Sequence, residues 1–276
     1  MRDALGLVAA VGYRSVAAVM GHDFGASVAA WCALVRPDVF HSLALMSAPF
    51  AGPPGFPGVA PKAPDIHAAL AALDPPRKHY QRYYTTREAN DDMWHCPQGV
   101  HAFLRAYFHH KSADWKGNQP HRLASWSADE MARMPTYYIM DRAEGMAQTV
   151  AHVMPSDTEI AHCRWLPGDA LREYSAEYER NGFQGGLQWY RAIADAGTLA
   201  QLQVFSGRTI DVPSMYLAGR SDWGVYQNPG AFEAMQTSAC TRMQACRLID
   251  GAGHWVQQEQ PEAVNDALLS FLRASG

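Results

Sequence analysis

The sequence predicts an α/β fold: a mostly parallel sheet flanked by helices, with an α-helical domain inserted into it. Three observations carry this. Short apolar runs alternate with helical runs near both ends of the 276-residue chain, at 15–47 and 212–274. Between them the texture is rich in Tyr, Trp, His and Met, with no series of strands. A Pro/Gly-rich stretch, AGPPGFPGVAPKAP at 51–64, marks the change.

Residues 2–11 read as the end of an amphipathic helix, with Gly12 as its stop. A secretion signal is disfavoured there, because Arg2 is the only base, an Asp adjoins it and no cleavage site follows. SVAAVMG at 15–21 reads as a buried strand, followed by a turn at 22–24. The small apolar run 26–34 suits a helix packed closely on a sheet, and Arg36-Pro37-Asp38 breaks it. HSLALMS at 41–47 reads as a second buried strand, so the pair should be parallel with a right-handed crossover.

From 65 to about 207 helices are expected at 99–110, 127–134, 144–152 and 169–181. The α/β texture resumes with a strand at 212–219, a helix at 230–236, a strand at 246–251 and a terminal helix at 261–274. The expected domains are therefore a split core, 1–50 and 208–276, with a linker and helical cap at 51–207.

Composition narrows the function classes. The net charge is -4 and the basic residues are scattered, which argues against nucleic acid or an acidic membrane as partner. No apolar run approaches the ~20 residues of a membrane span. The five cysteines, Cys32, Cys96, Cys163, Cys240 and Cys246, are odd in number and widely spaced, which suits reduced thiols and a cytoplasmic location. HCPQGVH at 95–101 and the pair His162-Cys163 match no standard zinc spacing, so no metal is expected.

The chemistry centres on the turn at 22–24. Gly21-X-Asp23-X-Gly25-Ala26 is a small-X-nucleophile-X-small-small pattern, in which a strained turn presents a side chain and the helix passes close to the strand. The helix N-terminus favours a charged Asp23. The bland alternative is a strand-helix turn capped by Asp, which is common. An acid should then follow a later strand and a histidine the last one. Asp222 follows the strand ending at Gly219, and His254 follows the strand ending near Gly251. Taken singly, Asp222 reads as a loop acid and His254 as a capping or core residue. All three, in the order nucleophile, acid, histidine, are far more specific.

With these residues in place the sequence resembles the α/β-hydrolase-fold epoxide hydrolases. GHDFGASVAAWCALVRPDVFHSLALMSAPF at 21–50 resembles that family's nucleophile segment, and GAGHWVQQEQPEAVNDALLSFL at 251–272 its histidine segment. The resemblance spans nearly all of the chain except about 116–165. It implies two cap tyrosines that hydrogen-bond the epoxide oxygen: Tyr190 in GGLQWYR and Tyr80 in HYQRYY. Tyr83, Tyr84, Tyr137 and Tyr138 compete, and aromatic packing is the alternative for each. The implied mechanism has Asp23 attack an epoxide carbon while the tyrosines protonate the oxygen. His254, oriented by Asp222, then activates water to cleave the ester, and the product is a vicinal diol. No cofactor is implied. The substrate class is a small-molecule epoxide, bulky or aromatic if Trp94, Trp126, Trp165 and Trp189 line the site rather than the cap's own core.

Two rival expectations stand beside this. Haloalkane dehalogenases share the elbow but generally place Trp after the nucleophile; here that residue is Phe24. The other is an inactive, truncated fragment of the family. The Phe24 amide supplies one oxyanion donor, but the family's His-Gly-X-Pro loop is absent, and Gly55-Phe56-Pro57 lacks the His and follows the nucleophile. Losing one such donor costs ~10²–10³ in rate. The family's core also has four strands before the nucleophile strand, so 15–21 should lie at a sheet edge with exposed apolar faces. The chain should then aggregate, form a homodimer through that edge, or need a further segment.

Overall fold

The computed structural model describes residues 1–56 and 65–275, and among them are six strands. They are β1 (Val19–His22), β2 (Leu43–Met46), β3 (Arg77–His79), β4 (Ile139–Asp141), β5 (Ser214–Gly219) and β6 (Met243–Ile249). β1, β2, β5 and β6 form one parallel sheet in the order β1-β2-β5-β6. The crossover from β1 to β2 is the helix Phe24–Val35.

Strand alternation divides the central strands between two cores. Leu43, Leu45, Tyr216 and Ala218 face the helix Phe24–Val35, packing on Ala26, Ala29, Ala30 and Ala33. Ala44, Met46, Met215 and Leu217 face the other way, onto Val264, Ala267 and Phe271 of the terminal helix Pro261–Ser275. A parallel sheet covered on both faces reads as continuous apolar runs, which is why LALM and SMYLAG were legible. β1 is different. It is the outer strand among the described residues, only four residues long, with Val16 bridging Phe40 ahead of it. The buried strand expected over 15–21 is therefore shorter and wetter, with Met20 39% exposed.

The small residues of the turn are not equivalent. A Cβ on Gly21 would lie 1.9 Å from the Gly25 carbonyl oxygen, whereas one on Gly25 would meet nothing within 4 Å. The strand needs glycine where the helix start crosses over it; the helix does not. Gly21→Ala is expected to cost about 3 kcal/mol or more, by forcing strand and helix apart. Gly25→Ala should be neutral or slightly stabilising. Urea midpoints of the two variants check this, and equal midpoints would refute the asymmetry.

The chain divides into two compact units. The first is Met1–Phe56, Pro120–Arg122 and Gln203–Gly276; the second is Pro57–Gln119 and Leu123–Leu202. The excursion Pro120–Arg122 is held in the first unit by His121 against the Trp223 ring, centroids 4.9 Å apart, and by an Arg122–Glu233 ion pair of 2.8 Å. The second unit is largely helical, with Phe103, Leu104, Met131, Tyr138, Met140, Met146, Leu166 and Leu171 buried. Its helices Gly99–Lys111 and Gly168–Asn181 lie close to the expected spans. Two expectations need correction. β3 and β4 form an antiparallel pair where no strands were foreseen, because RKH has no apolar alternation to signal it. The helix foreseen over 127–134 is only Ala128–Met131, since the residue before Pro135 is disfavoured in the helical region. The part of the Pro/Gly stretch at 57–64 lies outside the described residues. Among the described residues no helix is long and apolar enough to cross a membrane.

Candidate active site

Asp23 sits between β1 and the helix Phe24–Val35 with φ 54° and ψ -125°, a positive φ that is rare outside glycine. Such a conformation costs ~1–3 kcal/mol and persists only where its surroundings impose it. Here the Asp23 N–H donates to the Met46 carbonyl at 3.1 Å, and the Asp23 carbonyl accepts the Ala26 N–H at 3.0 Å. The result aims the side chain away from the strand. The Phe24 N–H donates to Asp23 Oδ1 at 2.5 Å.

Asp222 and His254 lie on loops leaving adjacent strands, β5 and β6. Their closeness is built into Gly219, where a Cβ would lie 2.1 Å from the Gly253 carbonyl oxygen. Both side chains are buried, each 2% exposed. His254 Nε2 is 2.9 Å from Asp23 Oδ2, and its Nδ1 is 3.3 Å from Asp222 Oδ1. The structure thus brings together Asp23, Phe24, Asp222 and His254, residues spread from position 23 to 254. Ionised carboxylates only accept hydrogen bonds, so an imidazole between two of them is suited to carry a proton on each nitrogen.

The acid is well supported. Burial alone would raise the Asp222 carboxyl, but the charge and hydrogen bond of His254, with the Ser47 hydroxyl and the Gly224 amide, hold it below its usual range. The Gly224 N–H donates to Asp222 Oδ1 at 2.7 Å.

His22, beside the turn, went unnoticed in the sequence. Its Nε2 donates to the His254 carbonyl at 2.6 Å, and the two rings lie 4.9 Å apart. Burial, and then the neighbouring His254, push His22 down to about 4. The unfolded chain protonates this group near pH 6.5 while the fold resists until about 4, so stability should fall as pH drops through that window. His79, buried in the second unit, is also pushed down to about 4 and adds the same sign. Each contributes a slope of ~1.4 kcal/mol per pH unit within the window. Urea midpoints at successive pH values measure it, and a flat profile between pH 6.5 and 4 would contradict it.

In the second unit, Tyr80 opens the helix Tyr80–Tyr84 and Tyr190 lies on Gln184–Ala194. Their rings meet edge-on at 5.8 Å, with Tyr84 at 5.5 Å from the first and 4.9 Å from the second. Arg191 fixes this pairing by donating to the Thr85 and Thr86 carbonyls at 3.1 and 2.9 Å. The competing tyrosines are engaged in the fold: the Tyr83 hydroxyl donates to Asp92 at 2.6 Å and that of Tyr137 to Asn118 at 2.7 Å. Tyr84 is fully buried, and burial drives its phenol well above the usual value. The Tyr80 hydroxyl accepts a hydrogen bond from the Gln81 side chain at 3.2 Å. Tyr190 borders a cavity of about 220 Å³ whose walls include Trp126, Ile66, Ile193, His79 and Arg82. Trp189 is half-buried and is not part of that lining.

Sequence reasoning passed over Ser47, whose Oγ is 3.1 Å from His254 Nδ1. Its signal was its place at the C-terminal end of a parallel strand, where sites in such sheets form.

The chain has clear relatives. A family model described as the alpha/beta hydrolase fold matches residues 2–261. Epoxide hydrolase B of Mycobacterium tuberculosis is 30% identical over 284 residues, a match covering 98% of this chain and 75% of that protein. Among solved structures, epoxide hydrolase A from Mycobacterium thermoresistibile is 27% identical with a TM-score of 0.69, covering 98% of this chain and 73% of the other. An epoxide hydrolase from an endophytic Streptomyces shares the fold with a TM-score of 0.75 at 24% identity, covering 98% and 72% of the two chains.

Proposed function

The chain belongs to the α/β-hydrolase fold family and is related to its epoxide hydrolases, and from that premise we propose that it opens an epoxide to a vicinal diol through an ester on Asp23. The observation that carries this reading is the two-sided hold on the Asp23 carboxylate. Oδ1 accepts the Phe24 amide at 2.5 Å, and Oδ2 faces His254 Nε2 at 2.9 Å. An oxygen so oriented suits displacement at saturated carbon.

In the first step Oδ2 bonds to an epoxide carbon and the ring C–O bond breaks. The oxygen takes a proton from Tyr80 or Tyr190, phenols that are neutral at working pH yet acidic enough to protonate an alkoxide. Esterification removes the charge of Asp23 beside His254, so the ring gives up its Nε2 proton through solvent to the phenolate and becomes a base. His254 then takes a proton from water as that water attacks the ester carbonyl carbon. The oxyanion forms on Oδ1, where the Phe24 amide already donates. Collapse returns the His254 proton to the departing alkoxide and frees the diol, and the Asp23 carboxylic acid so formed passes its proton to Nε2, restoring the resting pair. Asp222 keeps the Nδ1 proton in place throughout.

The cavity beside Tyr190, with Trp126, Ile66 and Ile193 in its wall, suits an aryl or bulky alkyl substituent. The test is a single turnover of an aryl epoxide in heavy-oxygen water. The label should enter the Asp23 carboxylate and be absent from the first diol. Label in the first diol would mean direct attack by water, and halide release from a haloalkane with no diol from epoxides would indicate a different hydrolase.

A further inference from the structure

We propose that Ser47 is a positioning residue for His254, its hydroxyl oxygen sharing the Nδ1 proton with Asp222; this rests on the reading above that His254 drives ester hydrolysis. Ser47 directly follows β2 and is 1% exposed. Its Oγ lies 3.1 Å from His254 Nδ1, nearer than Asp222 Oδ1 at 3.3 Å. One N–H thus faces two acceptors, one neutral and one charged.

The position is constructed for this. Ser47 has φ +70°, a conformation that non-glycine residues rarely adopt. It is pinned on both sides by the neighbouring strand: its N–H donates to the Leu217 carbonyl at 3.0 Å, and its carbonyl accepts the Tyr216 hydroxyl at 2.5 Å. That hydroxyl belongs to a fully buried tyrosine. Room for the arrangement comes from Gly224, where a Cβ would lie 2.5 Å from Ser47 Oγ and 2.9 Å from Asp222 Oδ1. A buried serine with only packing to satisfy would need neither the strained backbone nor the gap at Gly224.

Two acceptors fix what one leaves loose. A single 3.3 Å contact allows the imidazole to tilt. A second acceptor at a different angle sets the ring plane and keeps the proton on Nδ1, so that Nε2 is the basic nitrogen facing Asp23. The polar groups at this ring are Asp23 and His22 from the turn and Asp222 and Ser47 from the strand ends, while Glu259 holds the backbone of the loop that carries it. Glu259 accepts the backbone N–H groups of Gly253 and Trp255, each at 3.0 Å.

The test separates ester formation from ester hydrolysis by rapid quench in the full chain. Ser47→Ala should slow hydrolysis about tenfold, the scale of one hydrogen bond to a charged group, while ester formation changes less than about twofold. The pH profile of hydrolysis should move with it. Ser47→Gly, which suits the positive φ, serves if the alanine variant folds poorly. Ser47→Asp placed in an Asp222→Asn chain should recover hydrolysis at least about tenfold over Asp222→Asn alone, because a carboxylate would again meet Nδ1. Independently of any substrate, the low-field proton NMR signal of His254 Nδ1 should shift and exchange faster in Ser47→Ala. An unchanged hydrolysis rate and unchanged Nδ1 signal would overturn the proposal. So would equal slowing of both steps with a lowered urea midpoint, which is a structural effect alone. A wild-type chain that forms no ester would sink the epoxide reading, and the NMR comparison would still decide the role of Ser47.

Discussion

Asp23→Ala is expected to lower diol formation by about 10⁴-fold or more, the scale of losing a covalent nucleophile. Its placement sets the effect: its Oδ2 lies 2.9 Å from Nε2 of the buried His254, while Asp222 stands at Nδ1 on the other side. The helix start would lose an acceptor for the Phe24 amide, at a cost of ~1 kcal/mol or less. Gly21, Ala26 and the packing beneath the turn are untouched, so the variant should fold. Diol yield by chromatography, with circular dichroism as the folding control, measures this. Turnover within about 100-fold of wild type would point to water attacking the epoxide without an ester.

His254→Gln should also reduce steady turnover by about 10⁴-fold, with a different signature. Ring opening needs the carboxylate and a proton donor, and neither is removed. One equivalent of epoxide should therefore be consumed in a burst, after which the chain remains as the ester on Asp23. Intact-mass analysis would show the adduct, and peptide mapping would place it at the turn. The hydrolysis step stalls because the variant lacks the basic Nε2 that stands 2.9 Å from Asp23 Oδ2. Steady turnover at a wild-type rate would assign the base elsewhere. Loss of the burst would mean that the imidazole is needed in the first step as well. Together the two variants cut the cycle at its first and second bonds.

How far the site was legible depended on how local its constraint is. Asp23 stood out because a strand-to-helix turn imposes its pattern on consecutive residues. Even there the reasoning was coarse: Gly21 and Gly25 look alike in sequence, but only Gly21 has a carbonyl where its Cβ would be. Asp222 and His254 were found by their places after predicted strands. Ser47 and His22 were not, because their partners are distant in sequence. Ser47 meets His254 only through the pairing of β2 with β5 and of β5 with β6. In the second unit, RKH carried no alternation and the helix Tyr80–Tyr84 spans little more than one turn, so β3 and the tyrosine cluster lay below what periodicity detects.

By itself, the sequence determined the strand-helix-strand order, the turn at Asp23 and the chain order of acid and histidine. These rest on local steric rules and on apolar runs that must be buried on both faces. Tertiary structure decided which groups meet: Nδ1 of His254 set between Asp222 and Ser47, His22 on the carbonyl of His254, and Tyr80 edge-on to Tyr190. Hydrogen bonds and ring contacts act over a few ångströms, and only strand register and helix packing bring residues so far apart in the chain within that range.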